Sequence, residues 1–298
     1  MEWLTCVKKT INIIEEDLTK NVSVQDIAKQ LYISPFLLNK GFSIMTGYTI
    51  MEYARYRKLY QSALDLRESN VKIIDIAFKY GYETPESFTK AFIRFHGVSP
   101  SKMRSGANPK PFLPLKINVT ISGGSVMKVK IAKTFSFKLI GFPKLFNCET
   151  AFEEIPKFWD ELCEKYANNI YAGNPPANAY EKAIMDNCIG EYAVCIDNLG
   201  QDGNFLYMVA GKYTGGEVPE GMKLYEFPGG DWAIFDCFGP NPQTLQNMTT
   251  RVFKEWLPAN PDYEISGDAT IEWYDCTVDQ DDPDYHSAIW IPVKKKVK

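Results

Sequence analysis

The chain has 298 residues, 45% of them hydrophobic and 23% charged, with a formal net charge of −4. These figures exclude a disordered tail protein, a collagen-like fibre and a small disulfide scaffold, and the length favours two domains over one. Seven cysteines without a C-x-x-C pair, an N-terminus with Glu2 and no apolar h-region, and no apolar run near the roughly 20 residues of a membrane helix lead us to expect a cytoplasmic protein without a membrane partner.

Charge divides the chain. Residues 1–107 hold 15 Lys+Arg against 11 Asp+Glu, a net of +4 that leaves −8 for the remainder. A basic first third inside an acidic chain is the pattern expected of a segment that meets a polyanion.

Residues 1–104 read as helix throughout, with apolar positions at three-and-four spacing such as Val7, Ile11, Ile14 and Leu18. The segment repeats itself. Ser34-Pro-Phe-Leu-Leu-Asn-Lys-Gly-Phe42 aligns with Thr84-Pro-Glu-Ser-Phe-Thr-Lys-Ala-Phe92, and Asp26-Ile-Ala28 upstream aligns with Asp75-Ile-Ala77. In each copy a short amphipathic helix and a tight turn lead to a Ser or Thr N-cap followed by Pro, which fixes the start of a second helix. Helix, turn and capped helix form a helix-turn-helix plan, whose second helix can enter a major groove. Leu38 and Phe42 are expected to pack inward in the first copy, and Phe88 and Phe92 in the second. Asn39 and Lys40, then Glu86, Ser87, Lys90 and Arg94, are left for bases or phosphates. His96, in the turn after the second recognition helix, is expected to be structural.

From about Cys6 to Arg104 these motifs resemble the AraC/XylS family DNA-binding domain, two helix-turn-helix units joined by a long helix at Ile50–Leu66. The diagnostic pieces are Phe36-Leu-Leu-Asn-Lys40, Asp75-Ile-Ala77, Gly81-Tyr82 and Phe92-Ile-Arg-Phe-His-Gly-Val-Ser-Pro100. The resemblance implies that Phe36, Asn39 and Lys40, behind cap Ser34, read one major groove. Pro85, Glu86, Ser87 and Lys90, behind cap Thr84, would read the next. Promoter DNA and RNA polymerase are the macromolecular partners expected.

Ser105–Pro111 reads as linker by composition, and the domain boundaries expected are 1–107, a linker at 108–125, and 126–298. Strands then dominate: Met127–Ile131, Ala193–Asp197, Phe205–Ala210, Ala233–Cys237, Thr270–Asp275 and Ser287–Pro292. Two helical patterns, at Ile155–Ala167 and Pro242–Trp256, make this an α+β domain. Alternation in Thr270-Ile-Glu-Trp-Tyr274 puts Glu272 on the face of Thr270 and Tyr274, where a carboxylate among aromatics would be functional or else solvated.

Met222–Phe235, Glu255-Trp-Leu-Pro258, Ile271-Glu-Trp-Tyr274 and Ile289-Trp-Ile-Pro-Val293 are similar to the GyrI-like effector-binding domain. That resemblance implies two strand-helix-strand-strand modules around a site for lipophilic, often cationic molecules, with the family's glutamate at Glu272. Trp159, Tyr171, Trp232, Tyr274 and Trp290 are the expected aromatic lining, chosen from strand faces and helix position. The function expected is a sequence-specific transcriptional regulator, an activator, modulated by a small molecule and without enzymatic activity. A GyrI-like hydrolase, or a protein-interaction module in the second domain, are the rival readings. No cofactor motif is present: there is no Walker loop, G-x-G-x-x-G, H-E-x-x-H or G-x-S-x-G. Asp279-Gln-Asp-Asp-Pro-Asp284 lacks the EF-hand glycine and reads as a solvated hairpin loop, and the sequons at Asn118–Thr120 and Asn247–Thr249 carry no meaning in a cytoplasmic chain.

Overall fold

The structure, a computed structural model, describes residues 3–117, 127–147, 150–196 and 204–296. Glu2, Cys148, the Asn118–Thr120 sequon, residues 118–125 of the expected linker, Val126 and Asp197 lie outside the described residues. The chain forms two compact units, Leu4–Leu31 with Leu38–Ser122, and Gly123–Lys298 with Met1–Trp3 and Tyr32–Leu37.

The N-terminal part is helical: α1 (Trp3–Glu16), α2 (Val24–Leu31), α3 (Pro35–Thr46), α4 (Ile50–Glu68), α5 (Ile73–Lys79), α6 (Pro85–His96) and α7 (Pro100–Arg104). The caps are those the sequence spells. Ser34 Oγ accepts from the Leu37 N–H at 3.0 Å, and Thr84 Oγ1 from the Ser87 N–H at 3.1 Å. Thr49 and Glu52 close a reciprocal capping box at the start of α4. Helix α4 is the middle rod: its Leu59, Ala63 and Leu66 pack with Ile76 and Ala77 of α5 and with Phe88, Phe92 and Phe95 of α6. Phe88 and Phe92 are fully buried, and each burial stabilises by about 1.5–3 kcal/mol.

The two turns differ in one physical respect. Gly81, between α5 and α6, has φ +81°, and a Cβ there would fall 2.3 Å from Asn21 Oδ1. The matching place between α2 and α3 is held by Tyr32 at φ +53°, an exposed L-residue in the left-handed region. That conformation costs about 1–2 kcal/mol and is supported by the helices on either side.

The stretch after α7 has no regular structure, yet it is held to the helices. Phe112 lies against Tyr48, Tyr56 and Phe95 at ring distances of 5.3, 5.4 and 6.1 Å, and Arg57 Nη1 donates to its carbonyl. His96 completes the attachment. Its Nδ1 accepts from the Lys110 N–H at 3.1 Å, which leaves Nε2–H to donate to the Leu59 carbonyl at 3.0 Å. The ring is therefore structural and neutral, and burial, with Lys110 adding to it, lowers its pKa from 6.5. With the folded value depressed, the unfolded chain binds more protons, so this contribution is intact above pH 6.5 and is lost as pH falls towards the folded value. The wild type is expected to lose more stability in urea between pH 7.5 and pH 5.5 than His96→Gln. Equal losses would remove His96 as the titrating group.

The C-terminal part is one nine-stranded antiparallel sheet with helices on one face: β1 (Lys130–Thr134), β2 (Phe137–Asn147), α8 (Ala151–Leu162), a π-helical turn (Cys163–Ala167), α9 (Asn168–Tyr171), α10 (Ala179–Asp186), β3 (Tyr192–Ile196), β4 (Asn204–Lys212), β5 (Lys223–Phe227), β6 (Gly230–Phe238), α11 (Gln243–Arg251), a second π-helical turn (Val252–Trp256), α12 (Leu257–Ala259), β7 (Tyr263–Ile265), β8 (Ala269–Tyr274) and β9 (His286–Lys295). The strand order is β1-β6-β9-β8-β3-β4-β2-β5, with β7 on β9. Two strand-helix-strand-strand modules are therefore present, β2–β4 and β6–β9, joined where β3 pairs with β8. The leading strands are exchanged: β1 pairs with β6 of the second module, and β5 with β2 of the first.

Strands β2, β5 and β7 and helices α9, α10 and α12 go beyond the elements read from the sequence. In β2, Gly141 and Pro143 obscure the pattern. A Cβ on Gly141 would fall 2.1 Å from the Val209 carbonyl, so close pairing with β4 requires glycine there. Strand β5 runs out at Gly141, leaving β2 an edge at Pro143, where a residue without an N–H is tolerated.

Candidate DNA-reading face and effector site

On α6 the buried side is Phe88, Phe92 and Phe95, and Glu86, Ser87, Lys90, Ile93 and Arg94 are exposed. At 3.6 residues per turn these five fall within about 120° of one another, opposite the phenylalanines. Thr84 caps the helix and Pro85 starts it, so the first-turn residues are fixed where a recognition helix enters a groove.

Helix α3 is different, and two of its expected readers are corrected. Asn39 is 3% exposed, and its Oδ1 accepts from the Ile50 N–H at 3.0 Å. Its amide caps α4 and is not presented to a base. Phe36 is buried, so its ring is not presented to a base either. Ser34 is a buried cap, and Lys40 is partly exposed.

In the sheet, the register decides which side chains share a face. Glu272 pairs with Ala193 and Ile289, and Tyr274 with Ser287. Cys195 and Tyr207 are cross-strand partners, so Glu272, Tyr274, Cys195 and Tyr207 lie on one side. That is the side packed by Phe158 and Trp159 of α8 and by Ala183 and Ile184 of α10. Tyr274 Oη donates to Glu272 Oε2 at 2.8 Å. Trp159 Nε1 donates to Tyr207 Oη at 2.9 Å, and its ring meets Tyr274 edge-on at 6.0 Å. Burial, then the Glu272 charge, holds both phenols well above their ordinary pKa, so they remain neutral donors. The result is a carboxylate at the module seam among one indole and two phenol rings, suited to a flat or cationic molecule.

Trp232 and Trp290 do not join it. Trp290 pairs with Ile271 and Ile234, and Trp232 with Pro292, so both indoles point to the opposite face. There they meet edge-on at 6.4 Å, packed with Leu139, Val194 and Ile271. Tyr171, at the end of α9, is 69% exposed. Of the six expected residues the structure thus gathers Glu272, Tyr274 and Trp159. Tyr207 was missed: alternation with Phe205 and Val209 shows which β4 residues share a face, but not which strand lies next to it.

Among the described residues six cysteines form no disulfide. Among the described residues no helix is long and apolar enough to cross a membrane, and no three His, Cys, Asp or Glu side chains are gathered to hold a metal ion. The Asp279–Asp284 segment folds into local turns in which Asp279 and Asp282 accept from the backbone two residues on.

A tandem helix-turn-helix with an exposed polar recognition face, on one chain with a sheet that surrounds a carboxylate with rings, defines a DNA-binding transcription regulator with an effector-binding domain. Residues 130–293 match the family described as integron-associated effector binding protein, and residues 27–106 match a helix-turn-helix domain family. The chain belongs to the AraC-type regulators that carry this GyrI-like effector-binding domain. It is 36% identical over 91 residues to the HTH-type transcriptional activator AarP of Providencia stuartii, covering 30% of this chain and 67% of AarP. It is 30% identical over 98 residues to the multiple antibiotic resistance protein MarA of Escherichia coli K12, covering 33% of this chain and 77% of MarA. The solved structure of SAV2435 bound to tetraphenylphosphonium overlaps 56% of this chain and 94% of that protein, at 19% identity and a TM-score of 0.45.

Proposed function

We propose that this protein is a transcriptional activator, a binding protein and not an enzyme, working in the cytoplasm on promoter DNA and RNA polymerase. In this reading Glu86, Ser87, Lys90 and Arg94 face the major groove, Lys40 supplies a further cationic contact, and Ser34, Thr84 and Pro85 set the helix starts. The observation that carries it is the α6 face, exposed and polar but for Ile93, where the opposite side is three buried phenylalanines. The name of AarP supports the activating sign. A lipophilic cation is the effector this chemistry suits, its charge offset by Glu272 and its surface covered by Trp159, Tyr207 and Tyr274. The effector acts by its different affinity for two states of the protein.

Lys90→Ala tests the duplex contact. Affinity for a duplex selected by the full chain is expected to fall about tenfold, and a phosphate contact would also flatten the log–log salt slope by about 1. Titrations at several salt concentrations read both quantities. Unchanged affinity together with an unchanged slope would take Lys90 off the duplex.

A further inference from the structure

Ile93 is the one apolar residue of the exposed α6 face, at 43% exposure. Its position is not peripheral. Glu86, Lys90 and Ile93 are spaced four and three apart and fall within about 60° of helix rotation, a single row along the axis. The row lies opposite Phe88, Phe92 and Phe95, so core packing does not explain an apolar side chain there. Helix propensity does not either, because Ile is a weaker helix former than the Lys or Arg beside it.

A major groove supplies one apolar feature at base level, the thymine 5-methyl; its other edge groups are hydrogen-bond donors and acceptors. An isoleucine pressed into the groove gains contact area from that methyl, and opposite a G·C pair it leaves polar edge atoms without partners. Its β-branch restricts χ1, which makes the methyl position definite. Resting on the groove-reading role given to α6 above, we propose that Ile93 is a specificity-determining residue that packs on a thymine methyl. Glu86, in the same row, accepts from a cytosine amino group. Seven residues of helix span about 10 Å, or about three base steps of 3.4 Å, so the thymine lies about three base pairs from that cytosine.

The test begins with duplexes selected by the full chain from a randomised pool. Each thymine of the bound sequence is then replaced in turn by deoxyuridine, which removes only the methyl. One replacement, about three base pairs from a preferred C·G pair, is expected to weaken wild-type binding about fourfold. Ile93→Ala is expected to bind the thymine and deoxyuridine duplexes equally, with its helix content checked by circular dichroism. Overturning results are a selected site without such a thymine, wild-type affinity unmoved by every replacement, or Ile93→Ala keeping the full preference for thymine. Failure to recover any duplex would be a different failure, since it overturns groove reading by α6 and the inference with it.

Discussion

Glu15→Ala is expected to destabilise the helical unit by about 3–5 kcal/mol, lowering its melting temperature by 10 °C or more on the scale of about 4–8 °C per kcal/mol for a unit of this size. Glu15 Oε1 and Oε2 accept from Arg57 Nε and Nη2 at 2.7 and 2.8 Å, a two-pronged pair. Tyr53 Oη donates to Oε1 at 2.6 Å. Arg57 is 5% exposed, so removing the carboxylate leaves a buried guanidinium without its counter-charge. The surviving bond to the Phe112 carbonyl does not replace that charge. The pair ties α1 to the middle rod α4, and the same arginine holds the segment after α7. Glu15→Gln keeps the shape and is expected to fall between wild type and Glu15→Ala. Chemical and thermal unfolding of the full chain measure both variants, and a loss under 1 kcal/mol in Glu15→Ala would show that α1 is not fixed through this pair.

If the effector is the lipophilic cation proposed above, with tetraphenylphosphonium as the probe, Glu272→Gln is expected to weaken its binding at least tenfold, since an interaction with a charged group away from bulk water is worth about 1.5–3 kcal/mol. Glutamine keeps an oxygen for the Tyr274 hydroxyl, so the site's geometry is retained while its charge is removed. Triphenylphosphine oxide, similar in its rings but neutral, is expected to bind both proteins alike. Calorimetry with the two probes separates charge from ring packing. Equal phosphonium affinity in both proteins would take the Glu272 charge out of the site.

What the sequence made legible, and what it did not, follows from the range of the forces involved. Helix caps act over three residues, so the Ser34 and Thr84 caps are readable locally. Alternation along one strand placed Glu272 beside Tyr274 because both belong to β8. The same reasoning could not place Trp232 or Trp290. Their faces relative to Glu272 depend on the pairing of β8 with β9 and of β9 with β6, and a register shift of one residue reverses the face. Asn39 failed for a related reason: its amide is occupied by the first turn of α4, eleven residues on, a contact set by how α3 and α4 pack. Ile93 was legible in position but not in meaning, because a pattern that sorts apolar residues inward has no place for one facing out.

The most direct test of a regulator governed through Glu272 is the affinity of the full chain for its selected duplex, measured without and with saturating tetraphenylphosphonium. A change of about fivefold or more is expected, and linkage requires the duplex to shift phosphonium affinity by the same factor. Identical duplex affinity with the phosphonium demonstrably bound would contradict a coupled effector site and leave two independent binding activities on one chain.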